Sequence, residues 1–352
     1  MNHSSFFKEL IVFNKPKKAP LRLIGAGICM AVPLFIGYFS NNLLIGSFGS
    51  LGIFTFLYYQ TLPLKELLIH LSAVGAFLFC GNLIGVLSTH IPWMIPIAIA
   101  LVSFFARIIF RLYKIAKPGA FFIVMVTAMG SGTKIPLAHI PIMMSYVLLG
   151  IVTSLVVAVV LYLVEGETAI PQKKISLQER LYTDPAALLD ALHYAAILFL
   201  ATYISQSLHL TNAYWMVVSC AAVLQGDNLR AIMQRNVQRI FGTMIGLLIA
   251  AFLLNISFTS LETILLICFF FIMVEFFIKR NYTIANCFTT PMSLLLANLA
   301  RPQYLVSLLN YRLIGIVLGS LLGLLGAFVL TTCLTFYNRA YQLNENLDQE
   351  TE

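Results

Sequence analysis

The sequence predicts an all-α polytopic membrane protein, and three observations support this fold class. Of its 352 residues, 60% are hydrophobic and only 10% are charged, and the mean hydropathy is +0.90, which lies outside the range of soluble domains. The apolar residues fall in runs that approach the roughly 20 residues of a spanning helix. Basic residues gather between alternate runs, as the positive-inside rule requires.

The apolar runs predict about twelve transmembrane helices, with the N- and C-termini in the cytoplasm. Two runs, 118–130 and 213–225, are short, so a tilted span, an extension into the flanks and a re-entrant segment stay open for each. The twelve segments are 21–38, 43–59, 67–87, 93–110, 118–130, 141–164, 187–206, 213–225, 232–254, 261–278, 282–298 and 309–335.

The distribution of basic residues supports this topology. It places 19 of the 22 basic residues on the cytoplasmic side and 3, namely Lys134, Arg301 and Arg312, outside. Omitting either short segment would invert every later helix and remove the asymmetry. The basic balance of the chain therefore follows from its orientation, and a nucleic-acid partner is not expected.

An internal repeat divides the predicted bundle into two parallel six-helix halves. The motif from Gly81 to Gly85 (GNLIG) matches that from Gly242 to Gly246 (GTMIG), and SYVLLGIV matches NYRLIGIV, which aligns Gly150 with Gly315. Such glycines let helices approach closely, and a cleft between parallel repeats is where transporters bind their cargo. The predicted units are 1–164 (first repeat), 165–185 (cytoplasmic linker), 186–338 (second repeat) and 339–352 (short, disordered cytoplasmic tail).

Three arginines of the second repeat are candidate ligands for an anion. Arg235 and Arg239 share a helix face, because they are four residues apart, and the first repeat has Val74 and Leu78 in their place. Charged groups within a bilayer normally face a wet cavity, a partner or the interface. Snorkelling of both arginines to the headgroups stays an alternative. Arg312, at the outer end of the last span, fits either an external anion or an interface role.

Polar and aromatic side chains add to this candidate site. The eleventh span carries Tyr282, Asn286, Thr289 and Ser293 on one face, and Pro291 favours a broken helix that lines a substrate path. Hydrogen bonding between helices is the alternative. Tyr214 and Trp215 are candidates for substrate stacking, although their predicted outer position, like that of Trp93, favours an aromatic belt.

The sequence offers two candidates for proton coupling and no motif for a cofactor. His193 and Asp227 are the candidates for coupling, and an ordinary hydrogen-bonded role is the alternative for His193. Glu275 stands four residues before Lys279, which favours a structural ion pair on one helix. The cysteines show no metal-ligand spacing and the chain has no Walker-type loop, so neither a metal nor another cofactor is expected.

The order of parts from Tyr214 to Gly246 resembles the fusaric-acid-resistance-like (FUSC) superfamily of bacterial membrane proteins, which includes aromatic acid exporters. These parts are the pair Tyr214-Trp215, a Leu-Gln turn at Leu224, an arginine-bearing helix start and the Gly-Thr-x-x-Gly motif. The resemblance implies a multi-pass protein of the bacterial inner membrane that exports weak organic anions.

Other function classes stay open beside export. A passive anion channel would use the same arginines, and a non-transport scaffold or envelope protein is a further alternative. An enzyme is not expected, because the few acidic residues lie largely in loops and at helix ends. The expected partners are the lipid bilayer and a small organic anion, and a homo-oligomer stays open.

Overall fold

The computed structural model of the protein describes residues 13, 20–166, 177–184, 186–210, 212–226, 228–300 and 305–351, and these ranges contain helices and turns but no strand. Side chains are described throughout these ranges except at 177, 300, 305–307, 334 and 337–351. The first half of the chain forms α1 (Pro20–Phe39), α2 (Leu43–Gly52, continued as a 3-10 helix over Ile53–Tyr58), α3 (Leu64–Ser88), α4 (Ile95–Leu112), α5 (Phe121–Ser131) and α6 (Ile140–Glu165). The second half forms α7 (Ala186–Ser207), α8 (Tyr214–Val223), α9 (Leu229–Leu254), α10 (Ser260–Ile278), α11 (Tyr282–Ala300) and α12 (Leu305–Thr351).

Eight of the described helices are long and apolar enough to cross a bilayer, judged by length and composition. They are α1, α3, α4, α6, α7, α9, α10 and the apolar part of α12, Leu308–Cys333. Helices α2, α5 and α8 are shorter, and α11 is long but carries several polar residues. Each apolar segment predicted from the sequence coincides with a helix, and the all-α membrane class is confirmed. The count of twelve crossings stays a prediction.

The two weakest predicted spans are short helices in the interior of the bundle. Helix α5 has 11 residues and α8 has 10, so each extends about 16 Å, roughly half the hydrocarbon thickness. All residues of α8 from Trp215 to Val223 are buried, and α8 packs against α5, α7 and α12. Protein therefore surrounds α8, which is the setting in which a short segment is tolerated at membrane depth.

The helix boundaries follow local capping signals. Asn228 begins α9 by accepting a hydrogen bond from the Ala231 amide at 2.8 Å. Thr259 and Glu262 form a reciprocal capping box at the start of α10. Helix α6 ends at Gly166, which has a φ of 61°, a left-handed conformation that glycine adopts without a steric penalty.

The glycines predicted to pack helices lie where two backbones approach closely. A Cβ on Gly242 of α9 would collide with the Thr283 carbonyl of α11, and a Cβ on Gly150 of α6 would collide with the Gly49 carbonyl of α2. The other four predicted glycines would meet Thr127 (Gly81 and Gly85), Thr290 (Gly246) and Trp215 (Gly315). Helix α9 is thereby held close to α11, and α12 close to α8, which positions the site described below.

The two halves meet through helix pairs of different character. Helix α1 packs against α10, where Gly27 faces the Ile272 side chain. Helix α4 packs against α7. Asp190 of α7 binds Arg107 at 2.8 Å and Arg111 at 3.1 Å, and Asp184, which lies just before α7, binds Arg111 at 2.7 Å. One contact between the halves is therefore apolar, and the other contains a network of charges.

The end of the chain departs from the sequence prediction. Helix α12 continues to Thr351, so the prediction of a disordered tail after residue 339 is wrong. No Gly or Pro follows Gly326, and the final residues are rich in Leu, Gln and Glu, which favour helix. Within the predicted linker the structure describes a short helix, Leu177–Thr183. Residues 167–176 and 185 lie outside the described ranges.

Candidate functional site

A cavity of about 260 Å³ lies between the two halves of the chain. Residues of α2 and α5 line it from the first half, and residues of α8, α10 and α11 line it from the second. Much of its wall is apolar or aromatic, including Phe48, Phe54, Phe122, Met125 and Phe271. We call this space the central cavity.

Arg239 enters the central cavity from α9 and is buried, with 5% of its surface exposed. Its Nε donates a hydrogen bond to the Ser219 hydroxyl at 2.9 Å, and its Nη1 donates to the Tyr282 hydroxyl at 3.1 Å. A longer contact of 3.5 Å reaches Oδ1 of Asn286. The guanidinium therefore points into the bundle, and the snorkelling interpretation is wrong for Arg239.

Arg312 lies on the same cavity from α12 and is 3% exposed. Its guanidinium carbon is 3.4 Å from the centroid of the Trp215 ring. Its Nε and Nη1 groups are buried and have no hydrogen-bond partner among the described residues. The interface role is therefore wrong for Arg312. The site holds two buried cations, one with unused hydrogen-bond donors.

Helix α11 places its polar face along the central cavity. Tyr282, Asn286, Thr289 and Ser293 all line it, over about three turns of helix. The Asn286 amide donates to the Tyr282 carbonyl at 2.7 Å, and the Thr289 hydroxyl donates to the Ala285 carbonyl at 2.8 Å. Helix α11 continues through Pro291, so the expected broken helix is wrong. The hydroxyls of Thr289 and Thr290, next to Pro291, donate to carbonyls of the preceding turn.

The aromatic pair Tyr214-Trp215 belongs to the central cavity rather than to the lipid surface. Both residues line the cavity, their ring centroids are 4.5 Å apart, and Trp215 is only 4% exposed. The aromatic-belt interpretation is therefore wrong for Trp215, because α12 covers this end of α8. Trp93, at 70% exposure, remains compatible with a belt.

Arg235 lies outside the central cavity but next to it. Its guanidinium carbon is 4.6 Å from the centroid of the Tyr282 ring, and it lines a neighbouring cavity instead. Six of the seven predicted binding residues thus share the central cavity: Arg239, Asn286, Thr289, Arg312, Tyr214 and Trp215.

The predicted coupling residues do not join this group. The His193 ring nitrogen Nε2 is 3.0 Å from the Gly326 carbonyl, and His193 lines a separate pocket with Asp190 and Arg107. Asp227 lies outside the described residues. The ordinary hydrogen-bonded role fits His193, and proton coupling through either residue stays a prediction.

Sequence reasoning missed three polar residues of the site. Ser219 bonds Arg239 and also contacts the Ser320 hydroxyl at 2.8 Å. Asn82 lines the central cavity from α3. Glu275 lines it from α10. The charge of Lys279 still acts on it, but the described residues show no direct Glu275–Lys279 salt bridge within 4 Å. The side chain of Glu275 follows the cavity wall, a direction that the spacing along the sequence does not show.

The fold and the site together define a multi-pass helical membrane protein with a cationic cavity between its two halves. Residues 200–326 match the family model described as "Fusaric acid resistance protein-like", which confirms the resemblance drawn from the sequence.

The chain is similar to the uncharacterized membrane protein YvaC of Bacillus subtilis (strain 168), with 28% identity over 148 residues. That match covers 41% of this chain and 23% of YvaC, so the chain aligns with about a quarter of that relative. No solved structure matches the chain.

Proposed function

We propose that this protein is a secondary transporter of the bacterial inner membrane that exports weak organic anions, aromatic carboxylates in particular, through the central cavity. The observation that carries this proposal is the presence of Arg239 and Arg312 on one cavity wall, both buried. A carboxylate would be held by the arginines, and its ring would pack against the aromatic wall.

Electrostatics favour an anion as the missing partner. Removing a cation from water carries a large desolvation penalty unless charge and hydrogen bonds compensate it. Among the described residues, the hydrogen bonds of Arg239 go to neutral hydroxyl and amide oxygens, and Arg312 has two donors without a partner. An unmade hydrogen bond of this kind costs about 1–3 kcal/mol, more for a charged group. A bound carboxylate would recover that loss.

The helix packing supports an architecture of two parallel repeats. In the first half α3 packs on α5 and α2 packs on α6, and in the second half α9 packs on α11 and α8 packs on α12. The contacts between halves correspond as well, because α4 against α7 matches α10 against α1. Together with the asymmetry of basic residues, this supports twelve crossings with cytoplasmic termini. Rocking of one half against the other would then alternate access to the central cavity.

The family match agrees with this substrate class. The family description refers to resistance to fusaric acid, which is an aromatic carboxylic acid. We extend that chemistry to this chain because a cationic head site and an aromatic wall occur together in the central cavity.

Retention of labelled acids in cells tests the proposal. Cells lacking their own aromatic-acid exporters would express the wild type, Arg239→Gln or Arg230→Gln, and would be loaded with radiolabelled benzoate. Arg230 is an exposed arginine of the same helix and serves as the matched control. We expect lower benzoate retention with the wild type and with Arg230→Gln, and loss of this effect with Arg239→Gln at equal abundance.

Two results would argue against the proposal. Equal benzoate retention in all strains, with membrane insertion verified, would show that the protein does not export benzoate. A benzoate current through purified protein in planar bilayers would show that the protein is a passive channel and not a transporter.

A further inference from the structure

A second cavity, of about 440 Å³, lies beside the central cavity and has a strongly basic lining. Within the described part of the chain, its charged lining residues are all cations: Lys117, Arg235, Lys279 and Arg280. Gln234 and Gln238 add neutral amides. We call this space the basic chamber.

The basic chamber and the central cavity have a common wall. Ile278 and Tyr282 line both spaces. The Tyr282 ring lies 4.6 Å from the guanidinium carbon of Arg235, which belongs to the basic chamber. The Tyr282 hydroxyl accepts a hydrogen bond at 3.1 Å from Arg239, which belongs to the central cavity. The Tyr282 side chain therefore contacts one arginine of each cavity: Arg235 through its ring and Arg239 through its hydroxyl.

The cations of the basic chamber differ in how far their hydrogen bonds are satisfied. Arg280 donates a hydrogen bond from Nη1 to the Phe276 carbonyl, and its guanidinium carbon lies 3.7 Å from the centroid of the Phe276 ring. Arg235 has a buried Nε without a hydrogen-bond partner among the described residues, and its face rests on Tyr282. Arg235 is thus the cation best placed to bind an incoming anion beside the partition.

We propose that the basic chamber is a separate binding site for small organic anions, occupied before the central cavity, and that Tyr282 is the partition between the two. The proposal rests on the proposed function in taking the central cavity as the anion's destination. Like charges around a low-dielectric cleft concentrate anions and speed their association. An anion in the basic chamber competes with the Tyr282 ring for Arg235, and one in the central cavity competes with its hydroxyl for Arg239.

Charge-selective labelling tests the basic chamber without any transport measurement. Gln238→Cys in a cysteine-free background would be exposed, in phosphatidylcholine nanodiscs, to methanethiosulfonates carrying a sulfonate or a trimethylammonium group. We expect the sulfonate to react about tenfold faster, in keeping with cleft potentials of several kT. This preference should fall toward unity in Lys279→Gln/Arg280→Gln. Asn255→Cys, exposed at the other end of α9, is the control and should show no such preference.

Protection experiments identify the occupant. Benzoate should slow labelling of Gln238→Cys, and adding phosphatidylglycerol to the nanodiscs should not. Equal rates for the two reagents would overturn the basic chamber as an anion site, and protection by phosphatidylglycerol alone would assign it to a lipid headgroup instead. Neither labelling rates nor protection depend on benzoate export. A failure of the anion site can therefore be distinguished from a failure of the proposed transport function.

Thr289→Cys, behind the partition in the central cavity, tests the role of Tyr282. Labelling by the sulfonate reagent should be about tenfold faster in Tyr282→Ala than with Tyr282 intact, since the potential of the basic chamber would then extend to Thr289→Cys. Tyr282→Phe keeps the ring and should change the rate less than twofold, which separates the partition from the hydroxyl. Equal rates in the alanine variant and the parent would overturn the partition.

Discussion

The guanidinium carbon of Arg312 lies 3.4 Å from the centroid of the Trp215 ring, inside the bundle. The ring covers the face of the cation, while Nε and Nη1 at its edge have no hydrogen-bond partner among the described residues. A planar cation held in this way can present its edge to a carboxylate. The stacked pair therefore combines a preoriented charge with part of an aromatic wall.

This geometry predicts that Arg312→Lys impairs anion binding although the charge is kept. Lysine cannot stack its head on Trp215 or offer a planar pair of donors. Loss of a hydrogen bond to a charged group, about 1.5–3 kcal/mol, corresponds to roughly a tenfold or greater rise in the benzoate Kd. The Kd would be measured by calorimetry in detergent, with Arg230→Lys as the control. Equal affinity of Arg312→Lys and the wild type would contradict the role of the edge donors.

Ser219→Ala should destabilise the bundle by about 1–3 kcal/mol, because it leaves Nε of the buried Arg239 without its acceptor. Ser205→Ala is the matched control: Ser205 is also buried, but its hydroxyl only donates to the Thr202 carbonyl of its own helix. Removing such a local bond has little effect on a helix. Unfolding in mixed detergent micelles would measure the free energy of unfolding of both variants. Equal losses of stability would show that the bond to Arg239 does not stabilise the bundle more than a local helix bond does.

Gly242→Ala should destabilise the packing of α9 on α11 by about 1–3 kcal/mol, the usual effect of overpacking. The added Cβ would collide with the Thr283 carbonyl, which belongs to the backbone and cannot turn aside. In Gly27→Ala the Cβ would meet only the flexible end of Ile272, so the loss should be smaller. Thermal unfolding of the two variants checks this order, and the reverse order would contradict the close approach of α9 and α11.

Asp190→Asn should weaken the contact between the halves more than Asp184→Asn. Asp190 binds both Arg107 and Arg111 and is 20% exposed, whereas Asp184 binds Arg111 and is 36% exposed. Removing one partner of a buried pair costs about 3–5 kcal/mol, and a surface pair contributes about 1 kcal/mol or less. We expect the loss for Asp190→Asn to lie between these limits. Denaturant unfolding would measure both variants, and equal losses would contradict a network centred on Asp190.

Much of the site could be predicted from sequence because helical spacing decides which residues share a face. Arg239 lies one turn before Gly242, so the close packing of that helix also fixes the depth of the cation. The polar face of α11 from Tyr282 to Ser293 was predicted in the same way. The apolar runs predict where the helices lie, and the short runs 118–130 and 213–225 predict that α5 and α8 are short.

The remainder depends on tertiary contacts that local patterns do not contain. For Trp215 the sequence offers both substrate stacking and an aromatic belt, and it favours the belt because it does not show that α12 covers α8. Ser219 lies in a run of small apolar residues without periodicity, and only its contact with Arg239 reveals its role. Glu275 has the right spacing to interact with Lys279 and does so through its charge, but the spacing does not show that Glu275 also lines the central cavity.

Fluorescence of Trp215 tests most directly whether an aromatic anion occupies the central cavity. The chain has two tryptophans, so Trp93→Phe leaves Trp215 as the single reporter beside Arg312. The purified variant would be titrated with 4-nitrobenzoate, which quenches indole fluorescence, and with its uncharged methyl ester. We predict saturable quenching by the acid, at least about tenfold weaker binding of the ester, and a similar loss for the acid when Arg239→Gln is added. Equal quenching by acid and ester, unchanged by Arg239→Gln, would contradict an anion site in the central cavity.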